Sequence, residues 1–399
     1  MNDVNQPTVL NGILIRGYQK VFDENWPVWV GGILIGLMSV LTFAWARPWG
    51  VAGGLRNWGD WFFSVVGIYH YKPESPLIST NSILTLGLLV GAFGSALLSR
   101  QFAIRKAPPL ELGKGIVGGI LMGIGSAMAG GCNVGGFFSA VSALSASGIT
   151  MMIGLVIGAY LGLRYLYWEI EHLPSGSISS GSASKGKKGI DWLKLEPYIG
   201  TAVFLAAIIC TWIYSAQAYT RVGGLLLCGM AFGCIIQRTR FCFVRAFREP
   251  FMTGESQMPR AVAVAVIISV LGFAALKYSG VRGENVYVPQ AFWFGGLIGG
   301  VIFGIGMVVA GGCGSGSVWR AGEGQIKLML AVIFFAMSTS LFKEWIRSSA
   351  GLTSLMGGRA FMPNFISYRW SLILVIAIML AYYIITAWNE ETEKFVIEI

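Results

Sequence analysis

Long apolar stretches recur along the chain, and the charged residues fall between them. A bilayer core about 30 Å thick takes roughly 20 apolar residues per spanning helix. Windows 27–46, 81–99, 147–168, 197–216, 258–277, 325–345 and 369–388 meet that length. Windows 116–132, 221–237 and 294–313 are as apolar but rich in glycine. The pattern predicts about ten crossings and an all-α polytopic membrane protein, with the lipid bilayer as its solvent.

Composition agrees. Of 399 residues, 55% are hydrophobic and 12% charged, where soluble domains carry about a quarter charged. The opening MNDVNQPTVL lacks a basic region leading into a short apolar core, so the first span is expected to stay in the chain. The net charge of +10 suggests nucleic acid at first. No basic face with interleaved aromatics lies outside the apolar spans, however, and basic residues in such a chain mark cytoplasmic loops. Nucleic acid is not an expected partner.

Basic residues gather at 100–114, 164–194 and 238–248. Placing all three groups in the cytoplasm puts both termini inside and the loops 47–80 and 278–293 outside, together with Arg347 and Arg359. The stretch HLPSGSISSGSASKGKKGIDW, 172–192, reads as a flexible linker. The expected organisation is a cytoplasmic segment 1–26, a first transmembrane repeat 27–171, the linker, a second repeat with extra flanking helices 193–389, and a tail 390–399.

The halves repeat. GGILMGIGSAMAGGCNVGGFFSA, 118–140, aligns without gaps on GGVIFGIGMVVAGGCGSGSVWRA, 299–321, sharing Gly123, Gly125, Ala129, Gly130, Gly131, Cys132 and Gly135. A weaker match joins GGILIGLM at 31–38 to GGLLLCGM at 223–230. Under the topology above these last two run in opposite directions, which predicts repeats inverted in the membrane, an arrangement that places a transporter's substrate site where the halves meet.

Glycine weakens a helix by about 1 kcal/mol against alanine, so Gly130-Gly131-Cys132-Asn133 and Gly311-Gly312-Cys313 predict helix breaks. Backbone unwound at membrane depth must line a cavity or be buried in protein. Half-helices at 133–146 and 314–324 would then begin at the cysteines, near the bilayer midplane, their free N–H groups favouring anions. Small-residue patterns such as Gly119-x-x-x-Gly123 pack helices closely. Packing explains the glycines but not a thiol written twice. The two thiols fall in loops expected on opposite sides, so no disulfide is implied.

Cys242 sits in QRTRFCFVRAFREPF among Arg238, Arg240, Arg245 and Arg248. Positive charge there stabilises a thiolate and draws anions, or it is only a positive-inside loop with a packed cysteine. Arg320 and Glu323 follow Cys313: Arg320 is either an anion partner at membrane depth or a residue of a solvated turn. Cys210, Cys228 and Cys234 read as small hydrophobes, and Trp45, Trp49, Trp293 and Trp319 as interfacial anchors or packing. Only His70 and His172 are present, without zinc-type spacing, and no GxxxxGK[ST] loop for ATP occurs. No metal or cofactor is expected.

Two Gly-Gly-Cys breaks with an Arg-x-Arg-Phe-Cys-Phe segment resemble the YeeE/YedE family over roughly 27–345, and most nearly its YedE branch. The resemblance implies an inner-membrane permease with inverted repeats and half-helices, carrying thiosulfate between thiols through S–H···S hydrogen bonds. It further implies links to selenium metabolism and to a TusA-like sulfur-carrier protein on the cytoplasmic side. Carried over, the matching thiols are Cys132 and Cys313, with Cys242 in the Arg-x-Arg-Phe-Cys segment; the reading of the loops adds Gly131, Gly312, Asn133, Arg240 and Arg320 to the expected path. The chain departs from a symmetric pattern: the position opposite Cys242 falls near Gly50, without a thiol. Besides a non-enzymatic permease, two readings stay open: a sulfur-transfer protein forming a persulfide on Cys242 or Cys132, for which no base appears in the motifs, and a scaffold subunit.

Overall fold

A computed structural model describes residues 17–172, 192–283 and 287–397; nearly all of the 172–192 linker lies outside these residues. Ten helical segments among them are long and apolar enough to cross a membrane. The expected ten spans are present and the fold is all-helical.

In the first half, α1 (Val28–Trp45) leads to the short α2 (Ala52–Val65), then α3 (Thr80–Leu98) and α4 (Pro109–Ala129). A second short helix, α5, combines Asn133–Ser139 in π geometry with Ala140–Ser142, and α6 (Ala146–His172) closes the half. After α7 (Trp192–Ala216) the order recurs. It runs α8 (Thr220–Thr239), short α9 (Phe243–Met252), α10 (Gln257–Tyr278), α11 (Phe294–Ala310), short α12 (Gly314–Gly322) and α13 (Ile326–Ser348), with α14 (Tyr368–Thr392) appended. The appended α7 and α14 are the least buried spans, at 11% and 22%, so most of their surface is left to lipid.

Glycines set the packing. In lipid, helices associate through close backbone approach rather than a hydrophobic drive. A Cβ on Gly87 or Gly91 of α3 would lie 2.6 Å from Leu226 O or 2.2 Å from Met230 O of α8; on Gly32 or Gly36 of α1 it would lie 2.4 Å from Ala261 O or 3.0 Å from Ala265 O of α10. The same holds for Gly115 and Gly119 of α4 on Lys327 and Ala331 of α13, and for Gly154 and Gly158 of α6 on Leu297 and Val301 of α11. In each of these four pairs rising numbers meet rising numbers, so the helices run parallel. Gly118 of α4 meets Ala310 and Gly125 meets Gly299, so the matching helices α4 and α11 run antiparallel. Each half thus lends helices to the other.

Backbone bridges identify the two ends of the bundle. Arg105 pairs with Gln325 at one; Ser145 with Phe361 and Gln290 with Arg359 mark the other. Trp26 N donates to Arg238 O, and Ile397 N to Phe251 O. Both described ends of the chain therefore lie at the Arg105 end. Two local expectations change. The stretch 47–80 is not a simple loop, because α2 turns inward and packs on α13, where a Cβ on Gly59 would meet Ala336 O at 2.3 Å. The first half-helix stops at Ser142 rather than 146, since Ala143–Ser145 turn back into α6.

Candidate functional site

Three helix breaks converge at the centre of the bundle. Gly130 (φ 74°) and Gly311 (φ 77°) take the left-handed conformation that ends α4 and α11, which glycine adopts without steric cost. Two residues later, Cys132 and Cys313 are extended and stand as N-caps of α5 and α12. The third break follows the same plan without glycine. Arg240 (φ 54°) ends α8, and extended Cys242 caps α9. Left-handed geometry strains a residue with a Cβ. Here the side chain is held: Arg240 reaches Glu323 at 2.7 Å and Gln101 at 2.6 Å. The fourth short helix, α2, is capped by Val51, so no thiol stands at this position.

The three capping thiols gather although they come from different breaks. A Cβ on Gly314 would sit 3.4 Å from Cys132 Sγ, and one on Gly316 would sit 3.0 Å from Cys313 Sγ and 3.5 Å from Cys242 Sγ. The Cys313 and Cys242 side chains face each other. All three are at most 1% exposed, and all are free. The expectation that Cys132 and Cys313 lie in loops on opposite sides is corrected. The long helices end toward opposite ends of the bundle, but each break folds back, so that its half-helix begins at the centre. Gly316 N donates to Cys313 Sγ at 3.2 Å, so the thiol caps this first-turn amide of the half-helix.

Asn133 is fully buried; its side chain approaches the Cys313 thiol, and neither of its polar atoms has a nitrogen or oxygen partner. Gly131 packs on the α5 backbone, where a Cβ would lie 2.7 Å from Gly136 N; Gly312 packs on Ser317 and Leu328. These two glycines shape the loops.

Arg320 donates to Gly311 O at 2.8 Å and lies near Cys242. Arg240 and Arg320 stack on Trp319, at 5.4 and 5.1 Å from the ring centroid. Glu323 is fully buried; it binds Arg240 and accepts from Gln237 at 3.1 Å. The residues 320–324 are therefore not a solvated turn. Cys210 is exposed on α7; on α8 Cys228 is buried and the half-buried Cys234 donates to Gly91 O at 3.5 Å.

On the other side of the thiols, a cavity of about 180 Å³ reaches the first loop. Gly130, Gly131 and Gly135 form part of its wall, with Arg47, Arg56, Asn81, Ser126, Tyr287, Thr339 and Lys343. Arg47, Arg56 and Lys343 put positive charge on its wall, Arg56 being paired with Asp60 at 3.5 Å. Arg47 hydrogen-bonds Asn81. The Tyr287 hydroxyl lies over the loop, 2.6 Å from where a Gly135 Cβ would be. Burial pushes this phenol up to about 12, so it stays a neutral O–H group at any physiological pH. Sequence reading did not single out Arg47, Arg56, Tyr287 or Lys343. No three His, Cys, Asp or Glu side chains among the described residues group to hold a metal.

Comparison with known proteins gives a consistent picture. A family model described as Sulphur transport matches residues 6–161 and 238–397. The chain is 29% identical over 308 residues to the probable transporter YedE of Escherichia coli K12, covering 74% of this chain and 75% of that protein. It is 32% identical over 166 residues to the thiosulfate transporter TsuA of Escherichia coli K12, 41% of this chain and 45% of that protein. It is 33% identical over 127 residues to TsuA of Spirochaeta thermophila, 30% of this chain and 38% of that protein.

Proposed function

The chain belongs to the Sulphur transport family, and from that premise we propose that it is an inner-membrane permease for a small sulfur- or selenium-containing anion, with thiosulfate as the first candidate. The observation that carries this reading is the convergence of Cys132, Cys313 and Cys242 at three helix breaks, one end of which opens on a cationic cavity. We read the antiparallel α4 and α11 as members of inverted repeats. The Arg105 end, where Arg240 and Lys327 also lie, is then cytoplasmic, and the cavity faces outward.

In this reading Arg47, Arg56 and Lys343 concentrate the anion. Thiols then take it by its polarisable sulfur, which suits a weak S–H donor. Weak, repeated contacts allow release as well as capture. Cys242 and Arg320 receive the anion at the inner end, where a TusA-like carrier protein would collect it. The relatives are named as a probable transporter and a thiosulfate transporter, and among the described residues no histidine or carboxylate stands among the three thiols to serve as a base, so transport is favoured over persulfide chemistry.

The test is uptake of labelled thiosulfate, with selenite in parallel, into cells lacking other sulfur-anion importers. Uptake above the vector control supports the reading. Inserted protein that takes up neither label overturns it for this pair. A second expectation concerns the cavity. Lys343→Met removes one of its three cations and is expected to raise the thiosulfate KM several-fold. Because ions screen charge over about 10 Å at 0.1 M salt, the defect should shrink as ionic strength rises, and an uptake series in salt checks this.

A further inference from the structure

Thiols recognise only one end of an anion such as thiosulfate; its oxygens need donors as well. Along the line of the thiols stand buried polar side chains that find no nitrogen or oxygen partner; Trp319 Nε1 is one, and three carry small polar groups. The three are Ser126 in the wall of the outer cavity, Asn133 beside Cys313, and Ser317 on α12 next to the second loop. Asn133 is the most exceptional, because it is fully buried and an amide carries both donor and acceptor capacity. Almost all buried polar groups in proteins are paired, so an unpaired one calls for an explanation.

The repeat sharpens the point. Asn133 aligns with Gly314 in the second loop, so the loop does not need a polar side chain to form. The loops face each other reciprocally: Gly314 packs on Cys132, where a Cβ would lie 3.1 Å from its Cβ, and the side chain of Asn133 lies at Cys313. An anion whose sulfur rests on the Cys313 thiol would bring its oxygens within reach of the Asn133 amide.

Resting on the permease reading above, we infer that Asn133 is a specificity-determining residue whose side-chain N–H groups donate to the oxygen end of the substrate while the thiols hold its sulfur or selenium end. The substrate class is then an anion with two unlike ends, a terminal chalcogen joined to an oxygen-bearing sulfur. Thiosulfate and selenosulfate have this form; sulfate has oxygens only. A site built to hydrogen-bond a group rejects analogues that cannot accept the bond far more strongly than an apolar pocket rejects a misfit.

The experiment measures labelled thiosulfate uptake in proteoliposomes as a function of concentration, for the native chain, Asn133→Leu and Asn133→Thr. Leucine keeps the approximate volume and removes the donor; threonine returns a hydroxyl. The expected result is a KM raised about tenfold in Asn133→Leu with Vmax retained, and a KM in Asn133→Thr between the two. An unchanged KM in Asn133→Leu, or a fall in Vmax alone that threonine does not relieve, overturns the inference and leaves the permease reading standing. A native chain that takes up no thiosulfate overturns the permease reading itself, and the inference with it.

Discussion

Thiosulfate uptake is expected to fall at least tenfold when Cys313 is replaced by serine, and to fall similarly for Cys132→Ser, with membrane levels of both variants unchanged. Both side chains are fully buried and small, and serine fits wherever cysteine does. The fold therefore gives no reason for collapse, and the loss should lie in transport. A hydroxyl is a harder and shorter group than a thiol and a poorer match to a polarisable sulfur acceptor. Forfeiting one such contact at the narrowest part of the route, at about 1.4 kcal/mol, already corresponds to a factor of ten. Cys242→Ser should be impaired too, since its side chain faces Cys313. Cys210→Ser, on the outer face of α7, is the control and should transport normally. Initial uptake rates set against the amount of inserted protein decide it. Normal uptake by Cys132→Ser and Cys313→Ser would remove the thiols from the route.

The spans were legible because the bilayer imposes a length and a polarity that few other structures share. The two Gly-Gly-Cys breaks were legible because they occur twice and contain residues that helices avoid. The third break was visible only as a cysteine among arginines. Its left-handed residue is Arg240, and the bonds that hold it come from Gln101 and Glu323, both more than 80 residues away.

α2 was hidden for another reason. Arg56, Asn57 and Asp60 make AGGLRNWGDWFFSV read as an exposed loop. Leu55, Gly59 and Phe63, spaced four apart and all buried, carry the helical signal, but a stripe so narrow is easily passed over. The cavity was least legible of all. Arg47, Tyr287 and Lys343 come from three separate parts of the chain and meet only through the helix pairing that the close-packed glycines set. Burial also raises the Asp60 carboxyl of α2 above its usual range, while Ser340 and Arg56 act in the other direction; a polar residue in an apparent loop gives no hint of that in the sequence.

Gly316→Val is expected to abolish uptake while the protein still inserts and folds. The argument is geometric. Gly316 is on the first turn of α12, and a Cβ there would lie 3.0 Å from Cys313 Sγ and 3.5 Å from Cys242 Sγ. Alanine already presses on the first thiol; valine adds two methyl groups that must enter the gap between the two sulfurs. Most helix-packing glycines face backbone that cannot move. The atoms met at Gly316 are side-chain sulfurs, which can rotate away, so the substitution should displace thiols rather than pull helices apart. Valine is also a better helix former than glycine, which offsets part of any strain. Graded loss is therefore expected, partial for Gly316→Ala and complete for Gly316→Val, with thermal stability held near that of the native chain. Uptake rates and a melting curve on the purified variants check both halves of the claim. Normal uptake by a well-folded Gly316→Val would place the anion's route somewhere other than between Cys313 and Cys242.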